Sequence, residues 1–171
     1  MKQNWFIKTM VWLIVASLFN GCAGYRLGTS LPRDIRSIYI PMFINRTGEP
    51  MIEARATNAT IAEFQKDGTL RIFSDETSDV TIEVTLTKLD LSPLQYSKTD
   101  KRKPNEYRLR LYASYVLRRT ASREILAQEQ DLIGESTFIF AGNLTTAKQG
   151  AIPNAAEDLG KSIVESVVEY W

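Results

Sequence analysis

Histidine is absent from the 171 residues, and Cys22 is the only cysteine. Without histidine, Ser-His-Asp and Cys-His nucleophilic schemes and imidazole metal sites are excluded. A single cysteine cannot form an internal disulfide. Carboxylates are plentiful, but no two of them form a recognisable catalytic motif, and no Gly-rich phosphate loop or metal-ligand cluster is found. We therefore expect a protein that is not an enzyme and that uses no metal and no other cofactor.

Neither sign of charge dominates the chain. The 21 Lys and Arg residues against 20 Asp and Glu give a formal charge of +1. This balance argues against a nucleic-acid partner, which requires a basic footprint on the domain. Any basic site must therefore be local. At 44% hydrophobic and 24% charged residues, the chain can bury the core of one domain.

Long apolar runs are also scarce. The run at 10–19 has ten largely apolar residues, fewer than the ~20 that a helix needs to cross a bilayer. Lys2 and Lys8 precede it, as a secretory signal requires. We expect residues 1–21 to be a signal peptide.

Cys22 follows Gly21 directly after this run, an arrangement that resembles the lipobox of bacterial lipoproteins. Phe19 and Asn20 depart from the usual Leu and small residue of that motif, so an ordinary secretory signal or an uncleaved anchor stays open. The resemblance implies that Cys22 carries acyl chains such as palmitate, with residues 22–34 as a tether. Ala23, where Asp would favour the inner membrane, indicates the periplasmic side of the outer membrane.

Residues 35–171 are predicted to form a single α+β domain. Period-two alternation marks strands, and apolar residues three or four apart mark helices. Pro50 suits a helix start and Gly68 a helix end; Pro153 suits the first turn of the last helix. The predicted order is β-α-β-β-β-β-α, with strands at 35–44, 69–73, 79–89, 106–118 and 124–140 and helices at 50–66 and 152–171.

The apolar pattern predicts a two-layer sandwich in which both helices cover one face of a mostly antiparallel sheet of four or five strands. We expect a bend near Gly134 and Trp171 in the core. The predicted buried positions are Ile38, Ile40, Met42 and Ile44 in the first strand; Ala54, Thr57, Ile61 and Phe64 in the first helix; and Val80, Ile82, Val84, Leu86, Tyr107, Leu109, Leu111, Ala113, Tyr115 and Leu117 in the middle strands.

The mature chain resembles the LptE family of lipopolysaccharide-assembly lipoproteins, as a divergent member. The resemblance rests on the opening CAGYRLG (22–28), on the run from Leu31-Pro32 through IYIPMFINRT (38–47) to PMIE (50–53), on the strand EYRLRLYASYVLR (106–118) and on the terminal helix. It implies a plug and partner of the outer-membrane β-barrel LptD that binds lipopolysaccharide and assists its delivery to the outer leaflet.

A basic cluster is the candidate ligand site. Phosphates of lipid A are natural partners of Lys and Arg, and residues two apart on a strand share a face. A solvated hairpin loop, made basic for solubility and diluted by Asp100 and Glu106, remains the alternative. The predicted phosphate contacts are Lys98, Lys101, Arg102, Lys103, Arg108 and Arg110.

The polar face of the sheet, opposite the helices, is the second candidate. Tyr112 and Ser114 lie on it and are the predicted contacts with the barrel partner; a solvated antiparallel face is the plainer alternative. Two other functions also stay open. One is a periplasmic lipoprotein that binds a protein partner, of the curli-export or peptidoglycan-synthase-activator kind, and the other is a lipid-anchored enzyme that uses carboxylates.

Overall fold

The computed structural model describes residue 32 and residues 34–96, 104–140 and 142–169. The domain is α+β, with two helices and a mixed sheet. Residues 1–31, with Cys22, the predicted signal and most of the predicted tether, lie outside the described part, as does Trp171. The elements in chain order are β1 (Ser37–Tyr39), β2 (Ile44–Asn45), α1 (Ile52–Asp67), β3 (Arg71–Ile72), β4 (Val80–Tyr96), β5 (Pro104–Arg119), β6 (Ile125–Ile139) and α2 (Leu144–Glu169).

The first predicted strand, 35–44, is two short strands, so the element order becomes β-β-α-β-β-β-β-α. Pro41 has no N–H to donate to a ladder, which explains why the strand is interrupted. Beyond it, Phe43 is buried and its N–H donates to Thr57 Oγ1 at 3.0 Å. Met42 and Ile44 are 60% and 53% exposed. Their predicted burial is wrong, because the interruption ends the single alternation on which it was based.

The sheet is mixed, so the prediction of a mostly antiparallel sheet of four or five strands is wrong. Its six strands follow the order β3-β1-β4-β5-β6, with β2 also beside β4. β1 is parallel to both β3 and β4, and β2 is parallel to β4. A helix between two strands returns the chain to the end from which it started, and the next strand then runs parallel. The β1–α1–β3 connection has this form.

The long strands β4, β5 and β6 form an antiparallel meander. The predicted inward residues from Val80 to Leu86 and from Leu109 to Leu117 are buried. β4 continues to Tyr96, beyond its predicted end at Leu89, and the register shifts between Leu86 and Lys88. Thr87 is the extra residue of a β-bulge, so the inward positions change from even to odd numbers there.

Helix α1 ends as predicted at Gly68, whose φ is 76° and whose N–H donates to Phe64 O. Such left-handed ends favour glycine because it has no Cβ. The buried stripe is displaced from the predicted one: Ala54 and Ile61 are only half-buried. The buried residues of α1 are Ile52, Ala56, Thr57, Thr60 and Phe64.

Helix α2 begins at Leu144, two turns before its predicted start, and Pro153 lies inside it. Asn143 begins the helix: its Oδ1 accepts from Thr146 N–H at 3.2 Å, as a side-chain N-cap does. Pro153 is exposed, where the backbone group that its ring leaves unpaired can bond to water. The prediction that Pro153 lies in the first turn of this helix is therefore wrong.

Both helices pack on the same face of the sheet, and they contact each other. A Cβ on Gly134 of β6 would lie 2.1 Å from Ala155 O and 2.5 Å from Leu159 Cβ, so α2 lies directly on the backbone of β6. Gly134 therefore marks a close approach of α2 to β6 rather than the predicted bend. The irregularity lies nearer Asp131, where φ is 60° and the register with β5 shifts.

Polar groups of α2 also reach the outer edge of β6. Asp158 Oδ2 accepts from Glu135 N–H at 2.9 Å, and Ser162 Oγ donates to Ile133 O at 3.4 Å. An edge strand presents unpaired backbone groups to other chains. Helix α2 thus provides hydrogen-bond partners for two backbone groups of β6, the N–H of Glu135 and the C=O of Ile133. These bonds fix the strand segment that carries Glu135.

Candidate functional site

The face of the meander opposite the helices is called the outer face here, and no element of the described part packs on it. The register aligns Asp90, Arg110 and Glu135 in one row across the three strands. Neighbouring rows are Ser92, Arg108 and Thr137 on one side, and Lys88, Tyr112 and Ile133 on the other.

Arg108 and Arg110 lie on this face, and Glu135 joins them. Arg110 Nε donates to Glu135 Oε2 at 2.9 Å. Arg108 Nε lies 2.8 Å from Oε1, but its N–H is not aligned with that oxygen, so this contact is an ion pair without a good hydrogen bond. The side chains are 32–35% exposed. One carboxylate thus holds two guanidinium groups side by side, and it raises the pKa of Arg110 through the hydrogen bond.

A second ion pair flanks these arginines on β4. Lys88 Nζ lies 3.0 Å from Asp90 Oδ1, and its hydrogen bond to Asp90 raises the pKa of Lys88. The same Nζ lies 5.6 Å from the centre of the Tyr112 ring, within the range of a cation–π contact. The three rows named above contain three cations and two carboxylates, a net charge of +1.

Apolar side chains border the charged rows on β6. Ile133 and Ile139 lie on the same face as Glu135, two and four residues from it, and Ile139 is 73% exposed. On the opposite face, Tyr107 and Phe138 stack at the end of the meander with ring centres 5.7 Å apart. On the outer face, Ile133 and Ile139 thus place apolar surface beside the cationic groups, and this combination can contact an anionic amphiphile.

The structure brings together some of the predicted site residues. Arg108, Arg110 and Tyr112 are neighbours on the outer face, and Ser114 lies on it opposite Thr85. The remaining predicted phosphate contacts, Lys98, Lys101, Arg102 and Lys103, lie outside the described residues, between Tyr96 and Pro104 in the sequence.

Sequence reasoning missed Glu135, Lys88 and Asp90. Their place beside the arginines depends on the pairing of three strands, which is displaced by the bulge at Thr87 and by the register shift in β6. Neither irregularity is marked by an alternation pattern. Gly134, directly before Glu135, was a partial signal, because glycine inside a strand indicates a close approach or a bulge.

Neither helix of the described residues combines the length and the apolar character that crossing a bilayer demands. Within the same residues, no group of three or more acidic or cysteine side chains is arranged to hold a metal ion.

Known structures resemble this chain at low sequence identity, and the two with a TM-score above 0.5 share its fold. A Xanthomonas campestris protein of the DUF330 family is 9% identical with a TM-score of 0.54, covering 85% of this chain and 91% of its own. A hypothetical protein of Chlamydia trachomatis is 8% identical with a TM-score of 0.52, covering 78% and 95%. An uncharacterized lipoprotein of Nitrosomonas europaea is 17% identical with a TM-score of 0.46, covering 85% and 86%.

No curated protein matches the chain significantly. A family model does: the LptE model, described as lipopolysaccharide-assembly, matches residues 35–167. This span begins before β1 and includes every strand, all of α1 and all but the last two residues of α2. The chain belongs to the LptE lipopolysaccharide-assembly family.

Proposed function

We propose that the protein is a lipid-anchored assembly factor of the outer membrane, which binds lipopolysaccharide and partners an LptD-like β-barrel without catalysing a reaction. The observation that carries this proposal is the match of the LptE family model across residues 35–167. A match over the whole domain relates the architecture, rather than one motif, to lipopolysaccharide assembly.

The outer face supports the lipopolysaccharide-binding part of the proposal. Lipopolysaccharide combines phosphate groups with acyl chains, so its receptor needs cations beside apolar surface. Arg108 and Arg110 supply the cations, and Ile133 and Ile139 border them. Guanidinium groups suit phosphate because their donors form a planar fork. Lys98, Lys101, Arg102 and Lys103 add positive charge to the same hairpin in the sequence.

Contact with the barrel is assigned to the part of the outer face around Tyr112 and Ser114. Tyrosine and arginine are enriched in protein interfaces because they combine apolar area with directed hydrogen bonds. Tyr112 already has Lys88 over its ring, which limits the rotamer freedom that it would lose on binding. The helices occupy the other side of the sheet, which leaves this face open for a partner.

The anchor is assigned to Cys22, with residues 22–34 as the tether. Acyl chains hold a protein at a membrane because each buried CH₂ contributes about 0.8 kcal/mol. Intact-mass measurement of the protein purified from membranes tests this assignment. We expect the mass of a chain without residues 1–21 that carries acyl groups; an unmodified, uncleaved chain contradicts it.

Lipopolysaccharide binding by the full chain in detergent micelles tests the ligand assignment. Replacing both Arg108 and Arg110 with Gln is expected to weaken binding about thirtyfold, since each charge-assisted contact to phosphate contributes on the order of 1 kcal/mol when partly solvated. The matched control replaces the exposed Arg55 and Arg123 with Gln. It removes the same charge elsewhere and is expected to leave affinity nearly unchanged. Equal affinity of the two double variants would refute the assignment.

A further inference from the structure

The arginine pair of the outer face already holds an anion, the carboxylate of Glu135. Its two oxygens lie 2.8 Å from Arg108 Nε and 2.9 Å from Arg110 Nε. A phosphate that approaches the same two guanidinium groups requires the same kind of contact: negatively charged oxygens that face their N–H donors. Glu135 therefore occupies part of the position that a bound phosphate needs.

The backbone of Glu135 is fixed by contacts with α2, whereas its side chain is held by partly exposed ion pairs. Gly134 lies against Ala155 and Leu159 of α2, and Glu135 N–H donates to Asp158 Oδ2. The carboxylate is partly exposed, and its ion pair with Arg108 lacks an aligned hydrogen bond. Partly exposed ion pairs are weak, so rotation of the Glu135 side chain can release both arginines while the strand stays in place.

We infer that Glu135 is the resident counter-ion of a two-arginine phosphate site, and that an incoming phosphate monoester or diphosphate replaces it. This inference rests on the lipopolysaccharide-binding role proposed above. In the absence of ligand the carboxylate lowers the mutual repulsion of Arg108 and Arg110 and the local positive charge. The site is then least attractive to weakly charged anions, and a phosphate monoester, with a charge of about −1.5 to −2 at neutral pH, competes best.

The other charged groups around Glu135 favour the same reading. Asp158 Oδ2 accepts a hydrogen bond from the backbone N–H of Glu135, so this contact involves the backbone of Glu135 rather than its carboxylate. Asp90, opposite Arg110, is paired with Lys88 at 3.0 Å. Glu135 is thus the one carboxylate, among the described residues, within ion-pair distance of both arginines.

Pyrophosphate binding by the full chain tests the inference. Glu135→Gln keeps the size of the side chain and removes its charge. We expect pyrophosphate to bind about fivefold more tightly to this variant, the effect of removing one unit charge roughly 5 Å from the ligand in a high effective dielectric. Nitrogen NMR of arginine side chains provides a second readout: the Nε signals of both Arg108 and Arg110 are expected to move when pyrophosphate is added.

Glu83→Gln is the matched control, because Glu83 also pairs with an arginine of the outer face, Arg118 at 3.6 Å. Glu83 pairs with Val116 on β5, and Val116 is six residues from Arg110 along that strand. This is about 20 Å along a strand and beyond the screening length of about 8 Å in physiological salt. The control is expected to leave affinity within a factor of two. Adding Glu135→Gln to a chain in which both arginines are Gln is expected to give no gain.

Unchanged or weaker pyrophosphate binding to the Glu135 variant overturns the inference; the weaker result would make Glu135 a positioning residue instead. Binding of bisphosphorylated and of monophosphoryl lipid A to the Glu135→Gln variant tests whether a glycolipid is the source of the phosphate. A gain for pyrophosphate and for bisphosphorylated lipid A supports a glycolipid ligand, whereas a gain for pyrophosphate alone overturns that source. Co-purification of the barrel is a separate measurement, so the inference and the proposed function can fail independently.

Discussion

Ser37 and Asp79 exchange hydrogen bonds where β1 and β4 begin side by side. Ser37 Oγ donates to Asp79 Oδ2 at 2.7 Å, and the same Oγ accepts from Asp79 N–H at 2.9 Å. The carboxylate also accepts from the backbone N–H groups of Arg36 and Ser37, both at 2.9 Å. This cluster fixes the register of a parallel pair that has only two residue pairs of its own.

Asp79→Asn is expected to lower the free energy of unfolding by about 2 kcal/mol at neutral pH, because donors aimed at a carboxylate lose a charged acceptor. Burial acts to raise the pKa of Asp79, but hydrogen bonds from Arg36 N–H and from Ser37 outweigh it, and the pKa lies below its ordinary value of 3.8. The stabilisation is therefore present above about pH 4 and is lost as pH falls through the folded-state pKa.

Urea unfolding of the wild type and of this variant between pH 3 and pH 7 measures the effect. The difference in unfolding free energy should be largest at neutral pH and shrink toward pH 3. Asp131→Asn, at an exposed position of β6, is the control and should change stability little. A difference that stays constant over the whole range contradicts the hydrogen-bonding account of Asp79.

Gly134→Ala is expected to destabilise the domain by about 3 kcal/mol or more, since overpacking against backbone cannot be relieved by side-chain rotation. The new Cβ would meet Ala155 O at 2.1 Å. Gly150→Ala is the contrasting variant: it lies in α2 with no atom within 4 Å of the added Cβ. It should stabilise by about 0.5–1 kcal/mol through helix propensity. Thermal unfolding distinguishes the two, and equal melting temperatures would contradict the packing of α2 on β6.

The core of the meander was predictable because it depends on local alternation. The inward residues from Val80 to Leu86 and from Leu109 to Leu117 face the helix layer, so burial repeats every two residues and follows directly from the sequence pattern. Tyr107 was also predicted inward, but it lies at the end of the strand and is only half-buried. The prediction lost accuracy where the repeat changes phase, at Thr87 in β4.

Features that depend on pairing between distant segments were not predictable from local patterns. Parallel pairing of β1 depends on how the chain returns through α1, and the place of Glu135 depends on the register of β5 and β6. The predicted start of α2 is wrong for a different reason. Proline is common in the first turn of a helix, which favoured Pro153, but Asn143 is the residue that caps the helix.

Asn45→Ala is expected to cost roughly 2 kcal/mol, because one side chain orders the whole turn between β2 and α1. Its Nδ2 donates to Glu49 O at 2.7 Å and to Glu53 Oε2 at 2.8 Å, and its Oδ1 accepts from Thr47 N–H at 2.9 Å. Asn58→Ala, at an exposed position of α1, should be neutral or slightly stabilising. Chemical denaturation compares the two, and an equal stability change would mean that the turn network contributes nothing.

The basic segment between β4 and β5 can be tested separately from the arginine pair. Reversing Lys101, Arg102 and Lys103 to Glu is expected to weaken lipopolysaccharide binding at least tenfold at low salt, with the effect falling as salt rises, because exposed charges act through a screened field. Binding isotherms at two salt concentrations measure it. Unchanged affinity at low salt would show that the segment does not contribute to the ligand site, which would then consist of Arg108 and Arg110 without it.

Co-purification of the full chain from detergent-solubilised outer membranes, with the partners identified by mass, tests the proposed role most directly. We expect one outer-membrane β-barrel protein in constant ratio to the chain, and reduced recovery of that barrel when Tyr112 and Ser114 are both replaced by Lys. Recovery of the chain without any barrel protein, or with periplasmic partners alone, would contradict the account.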